Sequence, residues 1–296
     1  MLRQLVLVIA AMIVAPPAFA QQGSNATPDK PKSGWIADAK NGCKVWNTYP
    51  QPNESITWSG DCRNGFAQGH GVLQWIEDGK PGTKVEADYR DGRKQGRGKT
   101  FFEGGDRYEG EYKDDTFNGH GVYTYKDGGR YEGSFRDGLY DGRGIQTFAD
   151  GGRYEGEFKA DKRNGHGVYL YPGGDRYDGE WRDGKRDGHG VYVDTKGDRF
   201  EGAYRNDQRD GHGVLTFKSG SRFEGDWRDG KIAGHGVFAF ANGSRFEGEY
   251  RDGMPNGYGT LVSNGQKYTG SWTNGCFRQG ERYAWVGTSK ESCGFK

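Results

Sequence analysis

The residues NGHGVY come back along this chain at a fixed interval, and that interval limits what the chain can fold into. They stand at Asn118 to Tyr123 and Asn164 to Tyr169, with DGHGVY at Asp187 to Tyr192 and looser copies starting at Gln68, Gln95, Asp141, Asp210, Ala233 and Asn256. Nine Gly-x-Gly pairs result, beginning at Gly69, Gly96, Gly119, Gly142, Gly165, Gly188, Gly211, Gly234 and Gly257, and from Gly96 onward every step has the same length. A unit this short cannot enclose a core alone. Neighbouring units must therefore bury one another's apolar side chains, which makes this a repeat protein.

One unit, RYEGEYKDDTFNGHGVYTYKDGG from Arg107, alternates with period two in its first half. Tyr108, Gly110 and Tyr112 fall on one face of a strand, and Arg107, Glu109 and Glu111 on the other. The polar, glycine-bearing KDDTFNGHG is expected to turn the chain back, GVYTY to form a second strand, and KDGG to lead into the next unit. In register, the first aromatic is Tyr108, Tyr131, Tyr154, Tyr177, Phe200, Phe223 and Phe246. The second is Tyr112, Phe135, Phe158, Trp181, Tyr204, Trp227 and Tyr250, with a glycine between the two in every copy. Rings are expected to lie over that bare backbone.

This pattern resembles the MORN repeat, whose core reads Tyr-x-Gly-x-(Tyr/Trp) followed by Gly-x-Gly. The match runs in register from Val85 to about Gly275, with a divergent first copy in which Trp58 and Gly60 hold the first two slots and Cys62 the second aromatic slot. The segments GCKVWNTYPQPNESITWSGDC and GCFRQGERYAWVGTSKESC look like the end pieces of secreted bacterial members. The resemblance implies an all-β fold, an elongated single-layer antiparallel meander of β-hairpin repeats with disulfide-closed ends. A β-solenoid with one coil per repeat fits the period alone, but the chain lacks the stacked Val and Ile runs that such a coil needs.

The segment from Met1 to Ala20 carries a cation at Arg3, an apolar stretch and a small-x-small ending at Ala18 to Ala20, which reads as a secretory signal cleaved after Ala20. Residues 21–33 read as a flexible leader, 34–84 as an N-terminal cap with the divergent repeat, 85–275 as the array and 276–296 as a C-terminal cap. All four cysteines lie in the caps. In an oxidising compartment the local pairings, Cys43 with Cys62 and Cys276 with Cys293, are expected among the three that four cysteines allow. Each closes a loop of roughly 20 residues, worth about 3 kcal/mol in the chain-entropy model.

Candidate chemistry is sparse. His70, His120, His166, His189, His212 and His235 sit between paired glycines, where Arg97, Arg143 and Tyr258 stand in other copies. Adjacent copies, two strands of about 4.8 Å apart, are too distant to share a zinc at about 2 Å. They read as solvated turn-edge residues. An arginine row that includes Arg130, Arg153 and Arg176 runs beside a row of acids, a salt-bridge ladder on an open face with no cleft for paired catalytic carboxylates. No nucleophile elbow, calcium loop or dinucleotide motif is present, so no catalytic, cofactor or metal residue is assigned. Forty-two basic residues balance 41 acidic ones, which argues against nucleic acid as a partner and against direct lipid binding through basic residues. The expectation is a non-enzymatic secreted or periplasmic interaction protein or scaffold. Its partner is a protein, a second copy of the chain included, with a cell-envelope glycan or, less favoured by the charge balance, a membrane lipid as the alternatives, bound through Tyr112, Phe135, Phe158, Trp181, Tyr204, Trp227, Tyr250, Arg130, Arg153 and Arg176.

Overall fold

The computed structural model describes residues 33–295. The expected signal, its cleavage after Ala20 and the leader up to residue 32 lie outside the described residues. Regular structure among those residues is all β, 24 strands without a helix. The chain divides into two compact units, residues 33–165 and 166–295.

In the first unit, Phe66–Glu77, Lys80–Arg90, Arg93–Phe101, Arg107–Lys113, Thr116–Thr124, Arg130–Arg136, Leu139–Thr147 and Arg153–Lys159 pair one after the next, antiparallel throughout. The second unit repeats this from Arg176–Arg182 to Arg282–Trp285. Consecutive antiparallel pairing makes each unit an open meander and sets aside the solenoid, whose coils would pair in parallel. Cys43 and Cys62 join with Cα atoms 5.7 Å apart, and Cys276 and Cys293 with Cα atoms 5.6 Å apart.

The turn inside each repeat is tighter than expected, and the second strand is longer. In the unit from Arg107 only Asp114 and Asp115 turn, both with positive φ (48° and 72°), and the strand Thr116–Thr124 runs straight through NGHGVYT. Opposite it, Tyr108 faces Tyr123, Gly110 faces Gly121 and Tyr112 faces Phe117. One residue, Glu111, separates the last two pairs on the first strand, against Asn118, Gly119 and His120 on the second. That is a bulge, and Gly119 (φ +82°) takes the backbone conformation it requires. The glycine pair thus bends a strand instead of ending it. The same shift recurs at Gly133/Phe135, Gly179/Trp181, Gly202/Tyr204, Gly225/Trp227 and Gly248/Tyr250.

The rings lie as the glycines allow. Tyr108 reclines along its own strand until its hydroxyl donates to the Glu111 carbonyl at 2.8 Å, and Tyr131, Tyr154 and Tyr177 do the same to Ser134, Glu157 and Glu180 at 2.9–3.1 Å. Beneath Tyr108 pass Gly110 and Gly121. A Cβ on Gly110 would stand 2.5 Å from both the Tyr108 hydroxyl and the Gly121 Cα. Phe200, Phe223 and Phe246 keep this position without the hydroxyl, and all seven rings are at most 1 % exposed. Six of the seven also meet two neighbours edge to face: Tyr131 touches Phe135 of its own repeat and Phe158 of the next, each at 5.2 Å between centroids. Onto the outer side of the ring stacks a residue from the second strand, Phe117 over Tyr108 at 3.7 Å or Tyr140 over Tyr131 at 3.6 Å. Further along the chain guanidinium groups take this slot, Arg186 over Tyr177 at 5.7 Å and Arg209 over Phe200 at 4.4 Å.

Hairpin tips are tied to the preceding repeat by the second turn residue. Gly138, Gly230 and Gly253 donate their backbone N–H to the carbonyls of Phe117, Arg209 and Ile232 at 2.9–3.0 Å. Asp115, Asp161 and Asp207 do likewise to Lys94, Tyr140 and Arg186 at 2.9–3.2 Å. These aspartates also accept, through the carboxylate, the backbone N–H of the same three residues at 2.8–2.9 Å. A side chain at positive φ costs about 1 kcal/mol, which the added hydrogen bond offsets by a similar amount. From Gly92 to Gly230 glycine and aspartate tips alternate, so the tip pattern has a period of two repeats.

Candidate interaction surface

Strand alternation sends the second set of side chains to the opposite face, where charge is arranged as regularly as the rings. In six repeats the opening arginine reaches the acid two residues on: Arg130 to Glu132, Arg153 to Glu155, Arg176 to Asp178, Arg199 to Glu201, Arg222 to Glu224 and Arg245 to Glu247, all at 2.6–2.7 Å. Hydrogen bonds from Arg199 and Arg222 hold the Glu201 and Glu224 carboxyls below the usual carboxylate range. Exposed pairs of this kind are worth roughly 0.2–1 kcal/mol each.

Histidines share this face. They sit within a strand, beside the bulge, and so are not the corner residues the sequence suggests. His70 lies 3.1 Å from Asp88 and 3.7 Å from Glu86, His166 3.2 Å from Asp178, and His212 3.4 Å from Asp226. Their side chains are 63–65 % exposed. Among the described residues no group of three His, Cys, Asp or Glu is placed to hold a metal ion, and no helix is long and apolar enough to cross a membrane.

Nearer the tips runs another series. The last arginine of a first strand pairs with the residue before the bulge glycine: Arg136 with Asp141, Arg182 with Asp187, and Arg205 with Asp210, at 2.9–3.0 Å. Elsewhere that slot bonds to a neighbouring tip, as Gln68 does to Asp91 (2.6 Å) and Asn256 to Asn274 (3.0 Å). The bulge glycine has φ of 106–114° after the three paired aspartates, 63° after Ala233 and 129° after Asn256.

One ion pair is drawn inward. Asp115 is 6 % exposed, accepts the Lys94 backbone N–H and lies 3.2 Å from Arg93. Burial raises its carboxyl above the usual range, with Lys94 and Arg93 opposing, and burial lowers the Lys94 ammonium, with Asp115 opposing.

The structure divides the residues expected to bind. Arg130, Arg153 and Arg176 stand on the open face with 37–43 % of their side chains exposed. Tyr112, Phe135, Phe158, Trp181, Tyr204, Trp227 and Tyr250 do not form an accessible surface, being only 3–6 % exposed. Their neighbours' reclining rings cover them, and the Trp181 indole is turned inward to donate to the Gly167 carbonyl at 3.1 Å. A single-layer sheet hides its rings when they lie down on glycine, and the expectation of an exposed aromatic stripe overlooked this. The tip series was also missed. Its signal is Ala233, the one apolar residue among the nine that precede a bulge glycine.

A stack of glycine-floored β-hairpins with ringed inner and charged outer faces defines a class of interaction repeats. The MORN repeat family model matches nine segments, at residues 58–79, 86–107, 108–130, 131–153, 154–176, 177–199, 200–222, 223–245 and 246–266. The chain belongs to the MORN repeat family. Among solved structures it is similar to the SAS-4 (dCPAP) TCP domain of Drosophila melanogaster, in complex with a proline-rich motif of Ana2 (dSTIL). That match has 18% identity over 52% of this chain and 85% of the other, with a TM-score of 0.33. A virginiamycin B lyase from Staphylococcus aureus aligns at 10% identity over 76% of this chain and 82% of the other, with a TM-score of 0.16. No curated protein matches the chain.

Proposed function

We propose that this chain is a non-enzymatic interaction protein that acts outside the cytoplasm and holds a protein partner against the charged face of its repeats. The observation that carries this reading is the division of labour between faces. Packing consumes the aromatic rows, while the arginine, acid and histidine rows stay open and recur from one repeat to the next. Repetition of weak contacts yields avidity without a pocket. Membership of a repeat family fits such a role. The two closed disulfides fit an oxidising compartment. A glycan partner loses the aromatic row it would stack on, since those rings are buried.

The test is capture by the mature chain of proteins from the envelope fraction of its own cells, set against a variant with Arg130, Arg153 and Arg176 all changed to Gln. A protein held by the wild type and lost from the variant at unchanged melting temperature is the expected result. Retention by both, or turnover of a substrate by the purified chain, refutes the reading.

A further inference from the structure

We infer that the tip of the repeat at residues 223–245 is a binding site for a carboxylate, the acidic side chain of a partner protein, held by Arg228 where the chain omits its own. This rests on the interaction reading above. In three repeats the last arginine of the first strand grips an aspartate: Arg136 with Asp141, Arg182 with Asp187, and Arg205 with Asp210. The corresponding residue for Arg228 is Ala233, which has nothing to offer it. Among the described residues no carboxylate lies within ion-pair distance of Arg228 or of Arg251, whose counterpart is Asn256.

The missing side chain leaves space. Two adjoining depressions of about 530 Å³ each meet at Arg228, Asp229, Ala233 and Gly234, and the second extends to Arg251. The repeats themselves show what fits, because the paired copies hold a carboxylate there at 2.9–3.0 Å.

Nearby acids do not forbid a further carboxylate. Asp226 lies against His212 at 3.4 Å, and Asp252 against Lys231 at 3.1 Å. Asp210 is held by Arg205 at 2.9 Å, and Asp229 and Glu249 complete the set. Arg182 has Glu180 and Asp183 at the positions that Asp226 and Asp229 take around Arg228, yet it holds Asp187 at 3.0 Å. Arg205 in turn holds Asp210 at 2.9 Å with Asp226 and Asp229 at the positions that Glu249 and Asp252 take, so each of these neighbours of the empty slot has a counterpart beside a paired one. Charge-assisted bonds to a planar guanidinium then select carboxylate over a neutral amide.

The probe is a labelled oligoglutamate peptide, followed by fluorescence anisotropy on the mature chain at low ionic strength, with oligolysine as the control. Arg228→Gln and Ala233→Asp should each weaken oligoglutamate binding roughly tenfold, the loss of one charge-assisted contact. The first removes the guanidinium, and the second fills its slot from within. Ala233→Ser and Arg182→Gln should leave binding unchanged, since Arg182 is already engaged with Asp187 and lines neither depression. Ala233→Asp should also melt no lower than the wild type, which separates occlusion from misfolding. No oligoglutamate binding by the wild type, equal binding by Ala233→Asp, or equal losses in Arg182→Gln and Arg228→Gln would each overturn the site. None of these outcomes depends on whether a protein partner is captured, so failure here is distinct from failure of the scaffold reading.

Discussion

The N-terminal cap and the repeats that follow it solve one packing problem in two ways. In the array a ring reclines over glycine. Where the array begins against the cap the same slots hold Val85 and Ala87, both at most 1 % exposed, within a cluster formed with the cap residues Val45, Ile56, Leu73 and the Cys43 side of a disulfide. A Cβ is tolerated at residue 87 because no ring lies on it. Where a ring does lie across the glycine slots the cap returns to the array's solution: a Cβ on Gly71 would stand 2.3 Å from Trp58. The difference teaches that glycine serves the ring and not the strand, which glycine by itself weakens.

The sharpest way to break this comparison is to give the array the cap's residue without its partner. Gly225→Ala would set a Cβ 2.6 Å from the Gly236 Cα and 2.8 Å from the Phe223 ring. A loss of about 3 kcal/mol is expected from such overpacking, read by urea denaturation of residues 33–295. Adding Phe223→Val, which reproduces the Val85–Ala87 pair, should recover part of that loss. A double variant no better than the sum of its parts would show that glycine answers to the strand after all.

A smaller effect separates the regions by pH. Burial, as the largest cause, raises the phenol pKa of Tyr108, Tyr131, Tyr154 and Tyr177 above the ordinary 10.0. A group raised in the folded state contributes stability that is complete below its unfolded pKa and is lost as pH climbs past it. Burial raises Tyr89 of the cap cluster in the same way, but it is a single buried tyrosine there, so the tyrosine-bearing repeats should open first above about pH 10 and the cap cluster later. Hydrogen exchange across an alkaline series would show the order, and a cap that opened first would reverse the comparison.

The smallest effect belongs to the outer face. Arg222→Gln removes the 2.6 Å contact to Glu224, which is exposed to solvent. The expected change, measured by the same denaturation, is the smallest of the three, since solvent screens an exposed pair. A loss approaching that of Gly225→Ala would mean that the charged ladder, and not the ring stack, holds the repeats together.

Much of this was legible in the sequence because it follows from spacing. The constant step between glycine pairs, the alternation of Tyr108, Gly110 and Tyr112 against Arg107, Glu109 and Glu111, and the two local disulfides needed only periodicity and compartment chemistry. The bulge was not legible, because Gly119 next to Asn118 carries the same signal as a hairpin turn, and only the pairing of both strand edges tells them apart. Nor was the burial of Trp181 or Tyr204, since it depends on rings lying along the strand until they reach a carbonyl three residues away. On the charged face the sequence showed the rows, but the empty slot at Ala233 acquired meaning only once Arg182 and Arg205 were seen to be occupied.

The alternation of glycine and aspartate tips bears on how the chain could be shortened or extended. Excising one hairpin would bring two like tips into succession, aspartates as Asp115 and Asp161 would become if the hairpin carrying Gly138 were removed, or glycines as Gly138 and Gly184 would become without the hairpin carrying Asp161. Excising two consecutive hairpins returns every tip to a neighbour of its accustomed kind. The natural module for growth or loss in this stretch is thus a pair of hairpins, although the eye reads the chain in singles.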